Sequence, residues 1–164
     1  MDRANRGVPL LDDVFVEHSD SPTGYFRVAL EFARGAELVY AHGAADMPNV
    51  VGANAAHSAE LALRAFLLSK MKPVTVKKIS SRHNLEKMWT EAAKRNLPID
   101  QIVPRWCKIL NAAHGIPYLF RYPKDGAGVV LPGEALQELR QLLSVVGAAL
   151  HLDESGNAAA AEQP

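Results

Sequence analysis

The chain has 164 residues, 48% of them hydrophobic, and Lys plus Arg balances Asp plus Glu at 18 each, for a formal net charge of zero with His neutral. No global basic field exists to draw the protein onto nucleic acid, so any such contact needs a local patch. The single cysteine, Cys107, excludes an internal disulfide and a cysteine-based zinc site and fits a reducing compartment.

Residues 1–22 mix charge, Pro9 and the SDSPTG cluster, and read as an irregular arm. The opening MDRANRGVPLLDD has no long apolar core of a secretory signal, and no run of about 18 apolar residues follows anywhere. A cytoplasmic protein without a membrane partner is therefore expected. A helical bundle then spans 23–152. Thr23 is placed to cap a first helix to about Ala44, with Phe26, Leu30, Ala33, Glu37 and Val39–Tyr40 in helical rhythm. Met47–Pro48 turns the chain into ANAAHSAELALRAFLLSKM, the stretch from Ala53 to Met71. Here Ala55, Ala59, Ala62, Ala65, Phe66 and Ser69 fall along one side, and Leu61 and Leu68 widen the apolar surface. A helix this apolar around its circumference should be central.

Pro73 ends it. The next stretch, KPVTVKKISSRH, reads as a basic, β-branched linker with room for a small extended piece. Ser81 or His83 then precedes an amphipathic helix whose stripe is Leu85, Met88, Trp89 and Ala92. Asp100 is a candidate cap for a fourth helix to about Ala113, with Pro104 in its first turn. Its apolar positions are Ile102, Val103, Trp106, Ile109 and Leu110, and Cys107 reads as a packed thiol rather than a nucleophile. From His114 to Leu131 the chain is non-helical, yet Tyr118, Phe120 and Tyr122 must pack on something. Pro132 opens a last helix with Leu136, Leu139, Leu143, Val146 and Leu150 inward. Residues 153–164 read as a disordered, low-complexity tail. The fold class expected is all-α, an antiparallel up-and-down bundle of four to five helices.

Chemistry concentrates on the central helix. Glu60 and Arg64 lie four apart, share one face and can pair, and buried charges must find partners. His57 lies three residues before Glu60. A di-metal bundle site wants Glu-x-x-His on each of two helices, whereas the reversed order occurs here once, so neither metal nor other cofactor is expected. If Glu60, Arg64, Arg82, His83, Arg121 and Tyr122 converge, guanidiniums and an imidazole can bind a phosphate or position an RNA phosphodiester for acid–base cleavage. The plainer alternatives are a buried Glu60–Arg64 pair, His83 bonded to backbone at a helix start, and Arg121 clamping its loop. The run Lys70, Lys72, Lys77, Lys78, Arg82 reads as a solvated linker that can also touch phosphate.

SAELALRAFLL (Ser58–Leu68), RHNLEKMW from Arg82, and RYP at Arg121–Pro123 together resemble the HEPN (higher eukaryotes and prokaryotes nucleotide-binding) domain family. Its pattern has a helix S-x-E-L-x-L-K-A-hydrophobic, here with Arg64 in the Lys position. An H-x-L follows at the next helix start, here His83–Leu85, and RYP often precedes the last helix. The likeness covers roughly residues 25–150. It implies a four- or five-helix bundle, often a homodimer, found in toxin–antitoxin, phage-defence and RNA-processing settings with an antitoxin or nucleotidyltransferase-like partner. Active members are metal-independent ribonucleases with an Arg-x4-6-His motif. This chain departs from it: eight residues separate Arg105 and His114, seven Arg34 and His42, ten Arg140 and His151, and Arg82 and His83 are adjacent. The expectation is thus a non-catalytic module binding a nucleotide, RNA or protein through Glu60, Arg64, His83, Arg121 and Tyr122. The alternative is a divergent ribonuclease pairing Arg82 or Arg121 with His83 or His114.

Overall fold

The computed structural model describes residues 21–43, 46–115, 118–120 and 128–159. Among them are six α-helices: α1 (Pro22–Gly43), α2 (Pro48–Lys70), α3 (Pro73–Ile79), α4 (Leu85–Lys94), α5 (Arg105–His114) and α6 (Ala135–Ala149). The described residues form no strand, only an isolated bridge between Leu152 and Ala158. No helix among them is long and apolar enough to cross a membrane.

The apolar circumference of α2 does what its sequence requires. Val51, Ala55, Ala56, Ala59, Ala62, Leu63, Ala65, Phe66 and Leu67 are all buried, and α2 packs against each of the other five helices. Ser69, grouped with that face by its spacing, is exposed instead and bonds back to the Phe66 carbonyl at 2.7 Å. Against α1 the contact is made of small residues, with Ala29, Ala33 and Ala36 buried on one side and alanines of α2 on the other. The two backbones therefore approach closely enough for buried Ser58 Oγ to donate to the Ala29 carbonyl at 2.8 Å. The cap of α1 is Ser21, two residues earlier than Thr23. Its Oγ accepts the Gly24 N–H at 3.0 Å, and Pro22 takes the first helical position, where a missing N–H costs nothing.

Three further boundaries differ from expectation. The basic linker is not extended: residues 73–79 form α3, a sixth helix beyond the four to five expected, because Pro73 opens a helix turn and Val76 and Ile79, three apart, are both buried. Asn84, rather than Ser81 or His83, caps α4, its side chain accepting the Lys87 N–H at 2.8 Å. The fourth expected helix begins after Pro104 rather than at Asp100, since a proline disfavours helical backbone at the residue before it. Ile102 is consequently 77% exposed, while Trp106 and Leu110 enter the core. Asp100 serves instead as acceptor, its carbonyl taking the Trp89 indole N–H at 2.8 Å.

Residues 153–159 turn back onto α1. The Asp153 carboxylate accepts the Ser155 and Asn157 N–H groups at 2.8 and 2.9 Å, and Arg27 Nε donates to the Gly156 carbonyl at 3.1 Å. Gly156 has φ +75°, and a Cβ there would stand 2.7 Å from Arg27 Cγ, so this turn requires glycine. The expected arm over residues 1–20 and the last five residues lie outside the described part.

Truncating a core ring should separate buried from merely apolar positions. Phe66→Ala is expected to cost about 3–5 kcal/mol, and Ile102→Ala to stay within about 0.5 kcal/mol, read from urea-denaturation midpoints.

Candidate histidine–carboxylate site

On α2 the one buried charged side chain among the described residues is Glu60, 4% exposed. One of its oxygens, Oε2, accepts from both His83 Nδ1 at 2.8 Å and His114 Nε2 at 2.7 Å. The two imidazoles arrive from different elements. His114 is the last residue of α5, and Asn111 one turn earlier fastens that helix to α4. The Asn111 side chain accepts the Leu85 N–H and donates to Glu86 Oε1, each at 2.8 Å. Gly115 follows, and a Cβ on it would meet the Asn111 carbonyl at 3.0 Å and the Arg82 and His83 carbonyls within 4 Å. Glycine there lets the end of α5 close on the turn that carries His83.

That turn is strained. After buried Ser80, a short 3-10 turn over Ser81–His83 holds Arg82 at φ 63° and His83 at φ 54°, both left-handed. Tyr118, at φ 59°, adopts the same unfavourable region and stacks edge-on against His83 with ring centroids 5.9 Å apart. Three of the five non-glycine residues with positive φ in the described chain thus meet at one place, where local strain is held by surrounding contacts.

The rings form a continuous wall. His57 packs edge-on against Phe32 at 5.0 Å and against His114 at 4.9 Å, and His114 lies 5.1 Å from His83 and 6.5 Å from Phe120. Phe120 in turn needs Gly52, since a Cβ there would stand 2.7 Å from its ring. His57, Glu60 and His114 each offer one potential metal-ligating atom, and these three atoms lie within 4.8 Å of one another.

Burial pushes the Glu60 carboxyl up. The hydrogen bonds from His114 and His83, with the coulombic pull of both rings, outweigh it and hold the carboxyl at about 2, below its ordinary 4.5. Glu60 is therefore an anion whose partners are donors. Cys107 is the opposite case: burial first, then the nearby Glu86 carboxylate, pushes its thiol up to about 12, as suits a packed side chain.

Of the residues singled out from the sequence, the fold brings Glu60, His83 and His114 together. The expected Glu60–Arg64 pair is absent. Arg64 turns away to donate to Ser80 Oγ at 2.8 Å and to lie over the Tyr25 ring at 5.2 Å. Arg82 is exposed, and no described carboxylate pairs with it. His83 bonds a side chain, not helix-start backbone. Arg121 and Tyr122 lie outside the described residues, whereas Tyr118 and Phe120 of the same loop do pack, on the histidines. His57 had no part in the expected site. Its only signal was its place three residues before Glu60. A separate groove of about 530 Å³ between α1 and α6, lined by Arg34, Glu37, Arg140 and Leu143 among others, shares no residue with the cluster.

No family model, curated protein or solved structure matches this chain.

The depressed Glu60 carboxyl contributes stability that is fully present above its ordinary value of 4.5 and is lost as pH falls through about 2. Glu60→Gln, which leaves a neutral acceptor before two donors, should cost about 2 kcal/mol at pH 7. The gap between parent and variant in urea denaturation should narrow between pH 4.5 and pH 2, and a gap constant over that window would contradict this account.

Proposed function

We propose that the chain is a HEPN-like binding protein, acting as a homodimer in a defence, toxin–antitoxin or stress-regulatory setting, and that it holds the phosphate of an RNA or nucleotide beside His83. One observation carries this reading. Glu60 grips His83 through Nδ1 on a turn whose flanks carry exposed Lys77, Lys78, Arg82 and Lys87, none of them ion-paired among the described residues. An oriented imidazole and a set of uncompensated cations suit phosphate oxygens, and such a local patch is what a chain of zero net charge needs. The order Ser58, Glu60, Arg64, then His83 and Leu85 supports the HEPN-like label, and with it an antitoxin or nucleotidyltransferase-like protein partner.

A short fluorescein-labelled single-stranded RNA, followed by anisotropy, tests the binding. The combined Lys77→Ala, Lys78→Ala and Arg82→Ala variant should bind about tenfold more weakly or worse. Its log–log salt slope should be smaller by about 2, near 0.7 for each phosphate contact removed. Absence of parent binding at low salt, or a variant indistinguishable from it, would overturn the reading.

A second reading, a metal-independent ribonuclease, is favoured by the Glu60–His83 bond itself. A carboxylate on Nδ1 fixes the ring and directs Nε2 away from it, the arrangement that orients a general base. It predicts RNA cleavage that survives chelator and disappears in His83→Ala or His114→Ala; equal cleavage by parent and variants would remove it. Sedimentation at micromolar concentration should show a dimer, and monomer alone would defeat that part of the proposal.

A further inference from the structure

We infer that His57, Glu60 and His114 form a site for a divalent transition metal such as zinc, which shares Glu60 with His83 but does not depend on the phosphate reading. The three side chains come from two helices. His57 and Glu60 are three apart on α2 and so share a face, and His114 ends α5 against them. Tetrahedral zinc with bonds of about 2.0–2.1 Å sets its donor atoms roughly 3.3 Å apart. The Glu60–His114 separation of 2.7 Å and the 4.8 Å that bounds all three atoms bracket that value, so the set already lies close to the spacing a metal requires.

The chemistry of the donors selects the ion. Two imidazoles and one carboxylate suit zinc, cobalt, nickel or iron(II), whereas magnesium and calcium call for oxygen ligands. Three protein ligands leave a further coordination position for water or a ligand, the pattern of reactive rather than purely structural zinc sites. The site is also built. Glu60 and His114 are 4% and 5% exposed, and Phe32 and Phe120 pack on the rings of His57 and His114. His83 Nδ1 on the Glu60 carboxylate is the kind of outer hydrogen bond that orients a ligating group, and a carboxylate has two oxygens to divide between the tasks. His114 Nε2 donates its proton to Glu60 in the structure. On ligation the metal takes that proton's place, and the proton moves to Nδ1 of the same ring or to solvent.

Protein prepared without added metal and passed over chelator is titrated with Co(II), read by visible absorption, and with Zn(II), read by calorimetry. Roughly one ion per chain is expected, with a tetrahedral Co(II) ligand-field band. His57→Gln and His114→Gln should each weaken binding by about tenfold or more, while His83→Gln keeps the stoichiometry. Circular dichroism establishes that each variant folds. His114 is fully packed, and if its variant unfolds, half-buried His57 decides the matter. A folded parent that takes up neither ion at micromolar concentration, or a folded His57→Gln with unchanged affinity, overturns the inference.

Discussion

One carboxylate oxygen, buried on the central helix α2, accepts hydrogen bonds from two imidazoles, and three separate stretches of sequence are tied together there. An ionised carboxylate stripped of water is tolerated only when donors replace that water. The requirement is demanding because His83 and His114 sit on separate elements, a 3-10 turn and the end of α5. The left-handed backbone at Arg82 and His83, the glycine at 115 and the Asn111 bridge to α4 are all means of bringing those two rings to one acceptor. Removing Glu60 would orphan two donors at once.

The packing around it follows from small residues. Alanines on facing sides of α1 and α2 hold the backbones close, and Ser58 uses the closeness to reach a main-chain carbonyl. Bulk is kept for the other faces, where Phe66, Leu63, Leu85, Met88 and Leu110 fill the core. The site lies where that alanine-rich contact ends and rings begin, with Phe32, His57, His114 and Phe120 in sequence across it. Rigid rings packed edge to edge leave few rotamers open, so donors and acceptor are held in place without a separate scaffold.

Much of this was legible along the chain, and for stated reasons. A helix apolar over most of its circumference is expected to be central, and α2 packs against each of the other five helices. The stripe of Leu85, Met88, Trp89 and Ala92 is buried as its period requires. Short-range spacing was less reliable where two outcomes were open. Glu60 and Arg64 are four apart and can meet, but burial decides which partner each takes. The carboxylate finds imidazoles within the fold, and the guanidinium reaches toward Ser80 and the Tyr25 ring at the margin. Residues 73–79 carry a β-branched run that suits a strand, yet Val76 and Ile79 gain burial only as a helix turn. The pairing of Glu60 with His114 spans 54 residues, and the ligand set with His57 depends on it. No spacing rule along α2 contains that information.

The claim on which the account rests is that Glu60 is the shared acceptor of both rings. Long-range proton–nitrogen correlation of the histidine side chains in chelator-treated protein measures it directly. The account predicts a proton on His83 Nδ1 and on His114 Nε2, with both ring signals displaced in Glu60→Gln. A bare nitrogen at either position, or histidine spectra indifferent to Glu60, would contradict it.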